Sequence, residues 1–222
     1  MADALYLSLW YPNLRLAELE DKLVRVLGEF ATHGGESRVY SATVWPVSWS
    51  EAPVFQRIYR AVSRTDENGQ REYGVEPAAA VAEALEMLHE DYAYEFQIGW
   101  NLWEPETIGE PTARWVRELR QVRVTAFGPL FDEGAYEQDG HIRIDFGPDG
   151  PFMSETPADD LIVFGAETSG VQAAQHLEEN IRQLIGLTHA VEKASGATAR
   201  LLWSELGESL AVRLAQRLNV VN

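Results

Sequence analysis

At 222 residues, with 45% hydrophobic and 10% aromatic content, the chain carries enough apolar surface to build a core and does not read as a disordered polypeptide. Its formal net charge of −17 at pH 7 disfavours phosphate backbones and anionic lipid as partners and favours cationic ones. It has no cysteine, which excludes disulfides, thiol nucleophiles, iron–sulfur clusters and thiolate zinc sites.

Residues 4–11 alternate as a strand, with Leu5, Leu7 and Leu9 on one face. Residues 14–31 switch to helical spacing, with Leu16, Leu19, Leu23, Val26, Leu27 and Phe30 in one stripe that Gly34-Gly35 ends. A strand is expected at 38–47, with Pro46 marking an edge or an ending, and a weaker one at 54–62. Asn68-Gly69 signals a turn, and Pro77 opens a helix running to Glu90. Residues 92–103 alternate strictly. Tyr94, Phe96, Ile98, Trp100 and Leu102 fall on an apolar face, and Glu95, Gln97, Gly99 and Asn101 on a polar one. The order β-α-β-β-α-β is that of a ferredoxin-like split βαβ unit.

Beyond it, 112–120 reads as a short helix with Trp115, Val116 and Leu119 inward. Strands follow at 122–127 and 141–146, joined by a loop at 132–140. Residues 147–160 look irregular, and 161–165 form a short apolar run suited to a buried strand. Thr168 or Ser169 caps a helix over 170–194, and a last helix is expected at about 199–218. The expected whole is a single α+β domain over 1–222 built on an antiparallel-rich sheet, with possible sub-parts at 1–104 and 105–222. The first residues lack a basic region and an apolar run, so no secretory leader is read there. No stretch approaches ~18 apolar residues. A cytoplasmic location is the expectation.

The negative charge comes from two blocks. Residues 83–110 hold eight acids and no base, and residues 132–167 hold ten acids against Arg143 alone. Between them Arg114, Arg117, Arg120 and Arg123 recur at every third position. These arginines either grip a carboxylate or phosphate ligand, for which guanidinium is suited, or offset the acids beside them. His141, Arg143 and Asp145 share one strand face. That trio suits anion binding or acid–base chemistry, and it equally suits the wet face of any hairpin. Glu95, Gln97 and Asn101 carry the same two readings. His89-Glu90-Asp91 resembles a metal cluster in composition, but adjacent residues at a helix end diverge. Trp49 and Trp103, at strand ends, are candidates for an exposed contact surface, whereas Trp100 belongs to the core face. No dinucleotide or phosphate-binding loop, nucleophile elbow or paired-histidine metal motif occurs, so no cofactor is expected.

Two functions are compatible with this pattern. One is a non-catalytic acidic protein that engages a cationic protein partner, as an immunity or inhibitor protein does. The other is a small-molecule enzyme or binder with a pocket on the polar sheet face.

Overall fold

The computed structural model describes residues 3–59, 74–106, 114–153 and 167–205. Among the described residues seven strands form one sheet: β1 (Ala4–Trp10), β2 (Gly35–Pro46), β3 (Phe55–Ile58), β4 (Tyr92–Glu106), β5 (Arg114–Phe127), β6 (Ile142–Pro148) and β7 (Ala199–Ser204). Their order is β3-β2-β4-β5-β6-β1-β7, and every pairing is antiparallel. The helices are α1 (Leu19–Thr32), α2 (Pro77–Ala84), the single turns α3 (Tyr136–Asp139) and α4 (Gly150–Met153), and the long α5 (Glu167–Ser195). None of the described helices is long and apolar enough to cross a membrane.

The apolar face of the sheet and the stripes of α1, α2 and α5 close one core. Leu19, Leu23, Leu85, Phe96, Ile98 and Trp100 all lie in it, as the alternation and helical spacing require. Trp100 is its centrepiece. Its ring meets Phe30 edge-on at 6.1 Å and lies 5.2 Å from Phe146. Its Nε1–H donates to the His33 carbonyl at 2.8 Å, satisfying a group at the end of α1. There Gly34 takes a φ of +78°, which glycine adopts without strain, and the chain reverses into β2.

Several expectations change. The chain does follow β-α-β-β-α-β through β4, but the ferredoxin-like arrangement is not found. β1 pairs with β6 and β7, far from β2, β3 and β4. The helix expected at 112–120 is instead the first half of β5, paired residue for residue with β4 from Arg114↔Glu106 onward. Its three-residue arginine spacing imitates helical period, but the cross-strand pairs decide the conformation. Leu119, expected inward, is exposed. The start of the last expected helix, Ala199–Ser204, is the edge strand β7. Its run Leu201-Leu202-Trp203 is too short for periodicity to separate strand from helix. The second helix ends sooner, α2 passing into a 3₁₀ turn at Leu85–Met87. The 132–140 loop contains α3, and α5 starts at Glu167, ahead of the proposed caps. The Asn68-Gly69 turn, the 161–165 run and the remainder of the last helix lie outside the described residues.

Candidate functional site

The face opposite the helices presents cross-strand rows of polar side chains. One row runs Thr43–Glu95–Thr125–Arg143–Ser8, and the next runs Ser41–Gln97–Arg123–Asp145–Tyr6–Trp203. The structure thus brings together Glu95, Gln97, Arg143 and Asp145 from the sequence candidates and adds Arg123, Tyr6 and Ser8. The rows are dense enough to bury Ser8, Thr43 and Thr125. Burial raises the Glu95 carboxyl above the usual carboxylate range. Arg123, 3.7 Å away, opposes that shift, Asp145 adds to it, and Arg143 opposes it. Arg143 is held by Asp139 and lies over the rings of Tyr6 and Phe127. Trp203 stacks on Tyr6 at 4.6 Å and donates its Nε1–H to Ser8 Oγ. A polar hollow of about 160 Å³ lies between Gln97, Gln121, Arg123 and Asp145.

The other candidates lie elsewhere. Asn101, Trp103, Arg117 and Arg120 belong to the arm of the β4–β5 hairpin, past the four residues of β5 that β6 reaches. Every described arginine side chain of that ladder meets an acid: Arg117 meets Glu179, Arg120 meets Glu104 at 2.7 Å, and Arg123 meets Glu95. Trp103 lies against His176, ring centroids 3.9 Å apart, and donates Nε1–H to Glu179. Its backbone is clamped by the buried Asn180, which accepts from the Trp103 N–H and donates to the Trp103 carbonyl. The Asn101 carbonyl accepts from Gln183. These groups hold α5 to the arm. His141 sits just ahead of β6, beside Tyr11 and Tyr136.

The opposite end of the sheet joins segments that the sequence pattern leaves apart. Three segments, 46–51, 89–92 and 127–133, are tied there by backbone hydrogen bonds. Val47 N–H donates to the Asp91 carbonyl at 2.7 Å, Asp132 N–H to the Val47 carbonyl at 2.7 Å, and Leu130 N–H to the Glu90 carbonyl at 2.8 Å. Gly128 permits the approach, because a Cβ there would stand 2.4 Å from the Glu90 carbonyl oxygen. Beneath lies a small aromatic core of Ala93, Phe127 and Phe131 with Trp45 against it. Trp49 lies over it, 5.0 Å from Phe131 between ring centroids, while keeping 36% of its surface exposed. Val47 and Leu130 are more exposed still, at 54% and 62%. Around them stand the exposed acids Glu51, Glu90, Asp132 and Glu133, none ion-paired among the described residues. His89 beside them is bonded to Asp91.

This end also holds backbone strain. Val47, Asp132 and Glu133 have φ of +55°, +46° and +56°. A β-branched residue there is a genuine outlier, and such residues concentrate where surrounding structure over-determines them. The two bonds through the Val47 peptide groups do so here. The two acid blocks of the sequence, with Trp49, were the available signals. The surface itself required three segments distant in sequence to meet. Among the described residues no group of histidines and acids is arranged to hold a metal ion. No protein-family model matches the chain, and comparison with curated proteins and with solved structures gives no match either.

Proposed function

We propose that this chain is a non-catalytic binding protein that engages a cationic protein partner through the acidic end of its sheet, in the manner of an immunity or inhibitor protein. The observation that carries the reading is the meeting of exposed Trp49, Val47 and Leu130 with four acids, Glu51, Glu90, Asp132 and Glu133, that have no ion pair among the described residues. An aromatic anchor inside a charged rim is the usual anatomy of an energetic hot spot. The surplus acid steers a basic partner inward and excludes polyanions such as nucleic acid.

The test is capture of partners from the source cell with the full chain, followed by association kinetics. Wild type should associate more slowly as salt rises past ~0.15 M, where the Debye length is about 8 Å. Reversing Glu90, Asp132 and Glu133 to Lys should cut the on-rate by at least tenfold and leave the melting temperature within a few degrees. An on-rate indifferent to both salt and reversal removes this reading.

The polar hollow beside Gln97, Arg123 and Asp145 favours a second reading, a small-molecule site on the open sheet face. Saturable binding of a small ligand that is abolished by Arg123→Ala, with no protein captured, would put it first.

A further inference from the structure

A second cavity, of about 300 Å³, opens where the loop after β1 meets the ends of β5 and β6. Leu14, Leu19 and Phe127 supply apolar wall, and among the described residues no Asp, Glu, Lys or Arg lines it. That is unexpected in a chain of charge −17. Lys22 and Arg143 are not among the lining side chains; they lie over the rings of Tyr11 and Phe127, 5.5 and 5.4 Å from the centroids.

The cavity also holds polar groups with defined roles. His141 Nδ1 accepts the Tyr11 backbone N–H at 3.2 Å. The neutral ring therefore carries its proton on Nε2. Burial lowers the His141 pKa, so the ring is a neutral donor at pH 7. The Tyr11 hydroxyl donates to Ser195 Oγ at 2.8 Å. The Tyr136 ring lies 4.7 Å from the His141 ring. Neither the Tyr136 hydroxyl nor the Asn13 amide is hydrogen-bonded among the described residues. Asn13 holds its place at a φ of +53°, a conformation asparagine tolerates.

We propose that this cavity binds a small neutral ring compound bearing a hydrogen-bond acceptor, which takes the His141 Nε2–H while its ring fills the space between Phe127 and Leu14. Apolar walls with a few convergent, uncommitted polar groups are the anatomy of a small-molecule site, and the volume is at the lower end of the usual ~300–1,000 Å³. A charged ligand would lose its hydration without gaining an ion pair. The inference differs from the partner surface in needing no cationic ligand, although Phe127 and Pro129 border both.

Benzamide is the probe, with benzoate as the charged control of similar shape. The readout is the ring nitrogen resonances of His141 at pH 7.5. Benzamide should shift Nε2 saturably and independently of salt, and benzoate should bind at least tenfold more weakly. His141→Phe, which keeps a ring and removes the donor, should weaken benzamide about tenfold by saturation-transfer titration of the ligand protons, the scale of one lost hydrogen bond. Leu14→Trp, which fills the cavity from a half-buried loop position, should abolish binding with the fold intact by near-ultraviolet circular dichroism. No saturation with wild type, or equal binding of benzamide and benzoate, overturns the assignment. So does a His141 shift that appears only with a protein partner, for then the cavity receives a side chain.

Discussion

The two ends of the β4–β5 ribbon treat charge and aromatics in opposite ways. At the hairpin arm, Arg117 and Arg120 each meet an acid, Trp103 is held by Glu179 and His176, and Asn180 closes the backbone groups. At the other end, acids without an ion pair among the described residues surround an exposed tryptophan, and three residues other than glycine take left-handed conformations. Among the described residues the arm's arginine side chains and Trp103 find their partners within the chain. The far end carries unspent interactions, and that imbalance distinguishes a surface that holds the fold from one that awaits a partner.

The tryptophans test this contrast most strongly. Trp100→Ala removes a fully buried ring and its bond to His33, and should cost on the order of 3–5 kcal/mol in denaturant unfolding. Trp49→Ala, at the open end, should cost about 1 kcal/mol or less of stability while removing most of the partner affinity. Comparable losses of stability from the two would erase the distinction.

The arm offers a second, smaller comparison. Arg120 and Glu104 are mostly shielded, and Arg120 also donates to the Pro148 carbonyl at 3.0 Å. Removing Arg120 leaves a shielded carboxylate without its counter-charge, so Arg120→Ala should cost about 1–3 kcal/mol. Arg117 and Glu179 are each nearly half exposed. Arg117→Ala should cost below about 1 kcal/mol, even with its contact over the Trp103 ring. Urea midpoints for the two variants decide the order. A larger loss from Arg117 would mean that solvent screens the arm less than its exposure implies.

How much of this was legible depends on how local each signal is. The strict alternation in β4 placed Phe96, Ile98 and Trp100 in the core and Glu95 and Gln97 on the other face, because a buried face with period two leaves one solution. The stripe from Leu19 to Phe30 likewise read directly as α1. Arginines at every third position hid the first half of β5, whose conformation is dictated by pairing with β4. β7 was hidden because the three consecutive apolar residues Leu201-Leu202-Trp203 fit either period, and only its place beside β1 selects the strand. The acidic end depends on Val47, Glu90 and Asp132 meeting through backbone bonds, and backbone bonds between distant segments leave no mark on side-chain periodicity. The acid blocks marked two of its three segments without showing that they touch.

Val47 sharpens the comparison from the side of stability. Its left-handed conformation costs roughly 1–2 kcal/mol, and glycine removes that cost while giving back ~0.5–1 kcal/mol of chain entropy. The side chain is more than half exposed, so little burial is lost. Val47→Gly should therefore raise stability by about 0.5–1 kcal/mol and weaken partner binding, a trade expected where strain displays a contact residue. A variant that gains stability and keeps full affinity would show that the strain serves the loop alone.

The smallest effect belongs to Glu95, between the two ends. Its folded-state pKa is raised, chiefly by burial, so folding favours its protonated form. The stability tied to that proton is fully present below the unfolded value of about 4.3 and is lost as pH rises through the higher folded value. At pH 7 the ionised carboxylate is therefore a net cost that Arg123, half exposed and 3.7 Å away, offsets in part. Glu95→Gln keeps an acceptor and removes the charge. Its melting temperature should exceed that of wild type slightly at pH 7, and the gap should close by pH 4. Reading the difference between the two proteins cancels the shared acid response of the remaining carboxylates. If the variant instead melts lower at pH 7, the Arg123 and Arg143 charges outweigh burial at Glu95, and the polar face becomes a second surface arranged to hold a carboxylate in its ionised state.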